Sequence, residues 1–262
     1  MKRVISYTFL MVSCVVLSLV ARGSVLGDLA TGALVSLAIP LLDSISNSRV
    51  QLRHLWYAMR YSKTDIRISA AYLFRIKIDD KYLLIKGRRF AHYQPVGGVY
   101  KATSDGRAFL ATLGAKDDSL IPIDSDSSGD LRIRIKGKLV PRFYAWFDSR
   151  KGREDSPWRE FYEELVASAI LPRSDFPFVF HNYLRRDVDR IRYSQVAKSL
   201  EILIADIYEL LPSSAQETSL RALIANHRDE VVWVSEDEVE RLGVTPGAAQ
   251  NIVIAQHSTR IL

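Results

Sequence analysis

Two kinds of hydrophobic patterning divide this chain. From Val4 to Ala21 no charge interrupts an apolar run of about 18 residues, which as a helix measures about 27 Å and is long enough to cross a hydrocarbon core. A second run, Gly23 to Leu42, is apolar apart from Asp28 and small hydroxyl residues, and only Arg22 separates it from the first. The pair predicts a membrane hairpin over residues 1–43. Ser44 to Lys63 contains neither proline nor glycine and predicts a helical continuation, basic and aromatic, linking the hairpin to the remainder of the chain.

Beyond Lys63 the period changes to two. Ile66, Ile68, Ala70, Tyr72, Phe74, Ile76 and Ile78 fall on one side of a half-buried strand over Asp65–Ile78, Asp79-Asp80 turns the chain, and Lys81 to Lys86 returns as a second strand ending at Gly87-Arg88-Arg89. Gln94-Pro95-Val96-Gly97-Gly98-Val99 enters a further strand. Asp130 to Lys138 alternates basic with apolar residues, Val140 to Phe147 predicts another strand, and Phe176 to Tyr193 is strand-rich. Leu200 to Tyr208 reads as either a strand or a helix. Val231 to Val234 is a strand leading into Ser235-Glu236-Asp237-Glu238, the opening of a capped helix. Pro157 to Pro172 predicts a helix. There are no internal repeats.

Charge orients the apolar part. Lys2 and Arg3 flank one end and Arg49, Arg53 and Arg60 the other, against a lone Arg22 in the turn, so the positive-inside bias places both termini in the cytoplasm. His54, Trp56, Tyr57 and Tyr61 are expected at headgroup level. The competing reading is a cleaved secretory signal, but Leu19 and Val20 before a cut at Ala21 make a poor site, and a second apolar run would remain. Asp28 is a costly residue within a span, and Gly23 and Gly27 form a G-x-x-x-G that lets helices approach. Together they point to a homo-oligomer.

The 262 residues, 48% hydrophobic and 25% charged, suffice for one medium domain plus an appendage. A single cysteine, Cys14, excludes an internal disulfide framework and a cysteine-based zinc site. Net charge of +6 suits anionic partners such as nucleotides or lipid headgroups.

The candidate chemistry lies in Pro157–Pro172. In a helix Glu160, Glu163 and Glu164 share a side, and their mutual repulsion becomes useful if Mg²⁺, which prefers carboxylate oxygens and water, sits among them and clamps a diphosphate. Gly97 and Gly98 allow close backbone approach to phosphate. Arg132, Arg134 and Lys136 share one strand face, either as a phosphate-facing strip or as a charged edge that prevents aggregation.

Arg159-Glu160-Phe161-Tyr162-Glu163-Glu164 resembles the R-E-U-x-E-E core of the Nudix superfamily, where U is a large apolar residue. The resemblance implies magnesium held by Glu160, Glu163 and Glu164, catalytic roles for Glu163 and Glu160, and nucleotide contacts at Gly97, Gly98, Arg88 and Arg134. Two positions depart from the family pattern. Lys151 stands eight before Arg159 where a glutamate is expected, with Glu154 and Asp155 nearby, and Val166 replaces a glycine. A Nudix-like domain on a two-helix hairpin, with its Y-L-L-I-K-G-R-R, P-V-G-G-V-Y-K and V-V-W-V-S stretches, is similar to the two-transmembrane Nudix effectors of bacterial CBASS anti-phage systems.

That resemblance implies an α/β fold: a transmembrane hairpin (1–43), a juxtamembrane helical linker (44–63) and a Nudix-like α/β/α sandwich with a β-rich insertion (64–262). It further implies a cyclic di- or trinucleotide ligand, the bacterial inner membrane as the site of action, and no DNA or RNA duplex as partner. The alternative is a Mg²⁺-dependent hydrolase of a nucleoside diphosphate derivative.

Overall fold

The computed structural model describes residues 2–47, 49–87, 91–118, 129–226, 228–244, 247 and 252–262. The chain divides into two compact units, residues 1–64 with 136–145, and residues 65–135 with 146–262.

In the first unit, α1 (Lys2–Val20) and α2 (Val25–Asn47) pack on each other across a short turn. Their outward side chains, Phe9, Val20 and Val35 among them, are apolar and exposed. Val25–Ile45 is long and apolar enough to cross a membrane, with mean hydropathy 1.9, whereas Val4–Val20 is apolar but shorter. The next helix is α3 (Arg49–Arg60), and Ser48 between it and α2 lies outside the described residues. Its His54 and Tyr57 are buried within the unit, the His54 ring stacked on Tyr144 with centroids 3.6 Å apart, so these two rings pack on protein and do not face outward. Trp56 is exposed.

The second unit is a mixed α/β structure built on two sheets. In chain order its elements are β1 (Asp65–Arg75), β2 (Lys77–Ile78), β3 (Lys81–Lys86), β4 (Tyr93–Gln94), β5 (Gly97–Val99), α4 (Ser104–Thr112), β6 (Lys116–Asp117) and β7 (Arg132–Lys136). Then come α5 (Val140–Asp148), whose first residues belong to the other unit, α6 (Trp158–Phe161), β8 (Phe180–Val188), β9 (Arg192–Ser194), β10 (Ser199–Leu211), α7 (Ser214–Ala225), β11 (Val231–Val234) and α8 (Glu236–Glu240). The larger sheet runs β6-β7-β1-β10-β8, with β5 on β1 and β9 on β10, and the smaller runs β11-β3-β2 with β4 on β3.

The expected strand Asp65–Ile78 serves both sheets. Its first part is β1, parallel to β10 from Ile66↔Leu200 to Arg75↔Glu209, and its end is β2, turned back through Asp79 and Asp80 at positive φ onto β3. β1 is central, so it is buried on both faces and not half-buried. Even Arg67 and Ser69 lie inside. One face packs on the smaller sheet, where Leu73, Ala205 and Ile207 meet Tyr82, Leu84, Val234, Val239 and Ile261. The other carries Tyr72 and Phe74.

Val140–Phe147 is helical rather than a strand. Val140, Phe143, Tyr144 and Phe147 are all buried and stand at i, i+3, i+4 and i+7, a helical period that the dense aromatic run conceals, and Pro141 is tolerated in a first turn. The expected helix Pro157–Pro172 is also different. Only α6 is α-helical, and Tyr162–Val166 continues it as a π turn before Ala169 reverses the chain at φ 58°. The wider winding turns Phe161, Leu165 and Val166 into the core together. Phe161 packs against Phe74 and Phe176 at 5.3 and 5.8 Å, and full burial of such a ring contributes roughly 2–3 kcal/mol. The signature residues are thereby fixed against β1 and β5.

Candidate functional site

The site is assembled from β1, β5, the loop before α6, and α6 with its π turn. Gly97 and Gly98 sit in β5 opposite Leu73 and Tyr72. Gly97 has φ 148°, and a Cβ there would lie 2.2 Å from the Tyr72 carbonyl oxygen; one on Gly98 would lie 2.1 Å from Glu160 Oε1. Both glycines are therefore required by close approach, of the neighbouring strand in one case and of the signature glutamate in the other. The Gly97 N–H donates to Glu164 Oε2 at 2.9 Å.

Arg159 occupies the middle of this arrangement. Its Nη1 donates to Glu160 Oε1 at 2.6 Å and to Glu163 Oε2 at 3.4 Å, while Nη2 donates to the Val99 carbonyl at 2.9 Å. Nε and Nη2 both reach Glu154, at 3.2 Å each, a fork-on-carboxylate contact. Burial works against the charge of Arg159, but Tyr72, Glu160 and Glu154 more than offset it and hold the guanidinium above its ordinary range. Glu154 in turn accepts from the Lys101 N–H and the Tyr72 hydroxyl at 3.3 and 3.4 Å, and the Glu160 N–H donates to that hydroxyl at 3.3 Å.

The profile of the SMODS-associated NUDIX domain family matches residues 65–262 of the chain. The chain belongs to this family. No curated protein matches it.

Within this Nudix domain the upstream glutamate paired with Arg159 is Glu154, five positions before it, where position 151 carries a lysine. Spacing along the sequence hides this pairing. The loop leading to α6 bridges back at Ala102↔Arg153, which carries Glu154 to the arginine. Arg153 donates to the Phe147 and Glu154 carbonyls at 2.9 and 2.6 Å and lies over the Phe147 and Tyr100 rings at 4.0 and 4.6 Å, fixing the loop.

Asp130, also unanticipated, is pushed up to about 6 by burial, against the pull of Arg132 and Lys101. Further along the same sheet face Tyr100 donates to Asp206 at 2.9 Å, and Arg186 grips Asp206 with two hydrogen bonds at 2.6 and 3.0 Å and pairs with Asp148. No short motif in the sequence marks these partners.

The expected magnesium seat requires oxygen ligands converging on one point about 2.1 Å away. Glu160 and Glu163 instead share the Arg159 guanidinium, and Glu164 is turned to the Gly97 N–H. Among the described residues no group of three His, Cys, Asp or Glu is placed to hold a metal ion. As arranged, the three glutamates do not fit the cation. Nudix domains commonly use divalent metals.

Of the expected nucleotide contacts, Arg88 lies outside the described residues. Arg134 is committed elsewhere: it donates to Asp118 Oδ1 at 2.9 and 3.2 Å and to the Ala197 carbonyl at 3.0 Å. Asp118 also receives Arg67 at 2.6 Å, and Arg67 reaches Glu201 at 3.0 Å. This ion cluster ties β7, β1 and β10 together. Arg134 is thus held in a structural pairing and not presented as part of a phosphate-facing strip.

Proposed function

We propose that this chain is a membrane-anchored effector of CBASS anti-phage signalling, in which the Nudix domain binds a cyclic di- or trinucleotide as a sensor and does not hydrolyse it. The observation that carries the choice of sensor over hydrolase is Arg159 standing between Glu154, Glu160 and Glu163, with Glu164 bound to the Gly97 N–H. Carboxylates so neutralised serve to hold a helix on a strand, and a general base or metal ligand needs its lone pairs directed elsewhere. Fold alone leaves the chemistry open, and the arrangement of this site favours a binding module.

The apolar helices supply the other half of the reading. The Val25–Ile45 span, with α1 beside it, anchors the chain in the bacterial inner membrane as a two-pass hairpin with both termini cytoplasmic. Ligand binding clusters the domains into a homo-oligomer, and the gathered hairpins compromise the bilayer.

Calorimetric titration of the full chain in detergent with cyclic di- and trinucleotides, with and without Mg²⁺, tests this when the recovered ligand is assayed for cleavage. Saturable binding with the ligand intact is expected. Mg²⁺-dependent cleavage that Glu163→Gln abolishes would overturn the sensor in favour of the hydrolase.

A further inference from the structure

The helix α3 has two apolar faces and the protein covers one of them. His54 and Tyr57 are buried within the first unit, against Tyr144 and the neighbouring turn at Gly137–Leu139. Leu55, Trp56 and Met59 point the other way, at i, i+1 and i+4, and Trp56 is 52% and Met59 73% exposed. A tryptophan and a methionine side by side in water on a twelve-residue helix form an uncovered apolar stripe. The basic residues Arg49, Arg60 and Lys63 are also exposed along and beyond this helix. No acidic residue lies between Arg49 and Lys63.

We infer that α3 is a membrane-surface helix: its Leu55, Trp56 and Met59 stripe seats in the interfacial layer of an anionic bilayer, with Arg49, Arg60 and Lys63 at the phosphates. The inference rests on the reading of Val25–Ile45 as a span, since a helix starting at Arg49 emerges where that span ends. Cationic residues beside an apolar stripe match an anionic headgroup layer, and a tryptophan is suited to the boundary between acyl chains and headgroups. A peptide groove would have no reason to sit beside the end of the span, whereas the bilayer is already there whether the chain is alone or gathered with other copies. With the opposite face of α3 gripping the unit through His54 and Tyr57, the helix becomes a plate that fixes the unit against the membrane plane.

The full chain, reconstituted into phosphatidylcholine vesicles with and without phosphatidylglycerol, provides the test. Its Trp56 contribution is the difference in fluorescence between the parent and Trp56→Phe, which keeps Trp146, Trp158 and Trp233 in common. Brominated lipids serve as quenchers, with bromine placed near the headgroup or deep in the acyl chain. Expected are a loss of Trp56 intensity that is greater with the shallow quencher, a larger loss when phosphatidylglycerol is present, and removal of that lipid dependence by Arg49→Glu with Arg60→Glu. Met59→Glu is expected to lift Trp56 out and reduce the quenching. Flotation of the same vesicles reports on the span separately. Protein that floats with unquenched Trp56 overturns the surface helix while leaving the span intact, as does a blue-shifted Trp56 that no lipid quenches, which would assign the stripe to another protein surface. Protein that fails to float removes the span and this inference with it.

Discussion

Gly98→Ala interrogates the site through a single methyl group. The backbone of Gly98 is within the range of any residue, so the strand itself tolerates alanine and gains roughly 0.5–1 kcal/mol from the stiffer chain. The obstacle is Glu160, whose Oε1, Cδ and Cγ would lie 2.1, 2.3 and 2.7 Å from the new Cβ. A free glutamate would swing aside at little cost. This one is held by Arg159 Nη1 at 2.6 Å, with side-chain exposures of 22% and 17%, so moving it breaks a half-buried charge-assisted hydrogen bond that contributes about 1.5–3 kcal/mol.

The net expectation is a loss of about 1–2 kcal/mol, or roughly 2–8 °C in Tm for a domain of this size. In a Glu160→Ala background the three atoms that crowd the methyl are gone, and Gly98→Ala should be neutral or slightly stabilising. The double-mutant cycle, read by thermal unfolding of the full chain in detergent, should therefore give a coupling of about 2 kcal/mol. An equal cost in both backgrounds would refute the placement of Glu160 over β5.

Asp118 is held below the usual carboxylate range because the hydrogen bonds from Arg67 and Arg134 outweigh its burial, so its contribution is present above about pH 4 and lost as pH falls through its folded value. Asp118→Asn leaves buried arginines short of a partner and should cost about 3 kcal/mol by chemical denaturation at neutral pH, with a flatter acid limb. Asp130 titrates in the opposite sense: raised to about 6 by burial, it favours the folded state below about pH 4 and ceases to as pH rises through 6, so Asp130→Asn should raise stability at pH 8 and flatten the profile between. His54, stacked on Tyr144, is lowered to about 4 by burial and the nearby Arg53. Its ring resonances in detergent should hold their neutral position as pH falls past 6.5, and midpoint titration near 6.5 would contradict the burial of α3's inner face.

The apolar runs, the strands from β1 to β3 with the Asp79-Asp80 turn, and the Ser235–Glu238 capping box are local properties, written in spacing a few residues long, and they are legible in the sequence alone. The glycine pair reads in the sequence as room for a phosphate, and its juxtaposition with Glu160 comes only from the fold. The rest required the tertiary structure. Val140–Phe147 satisfies both periods in one aromatic-rich stretch, and only the surfaces available to bury Phe143 and Phe147 choose the helix. Whether Glu163 and Glu164 face a cation or their own chain depends on the π winding, which the packing of Phe161 and Leu165 imposes. Glu154 and Arg134 find their partners, Arg159 and Asp118, through sheet pairings between segments distant in sequence, and electrostatic partners chosen by three-dimensional proximity leave no periodic trace along the chain.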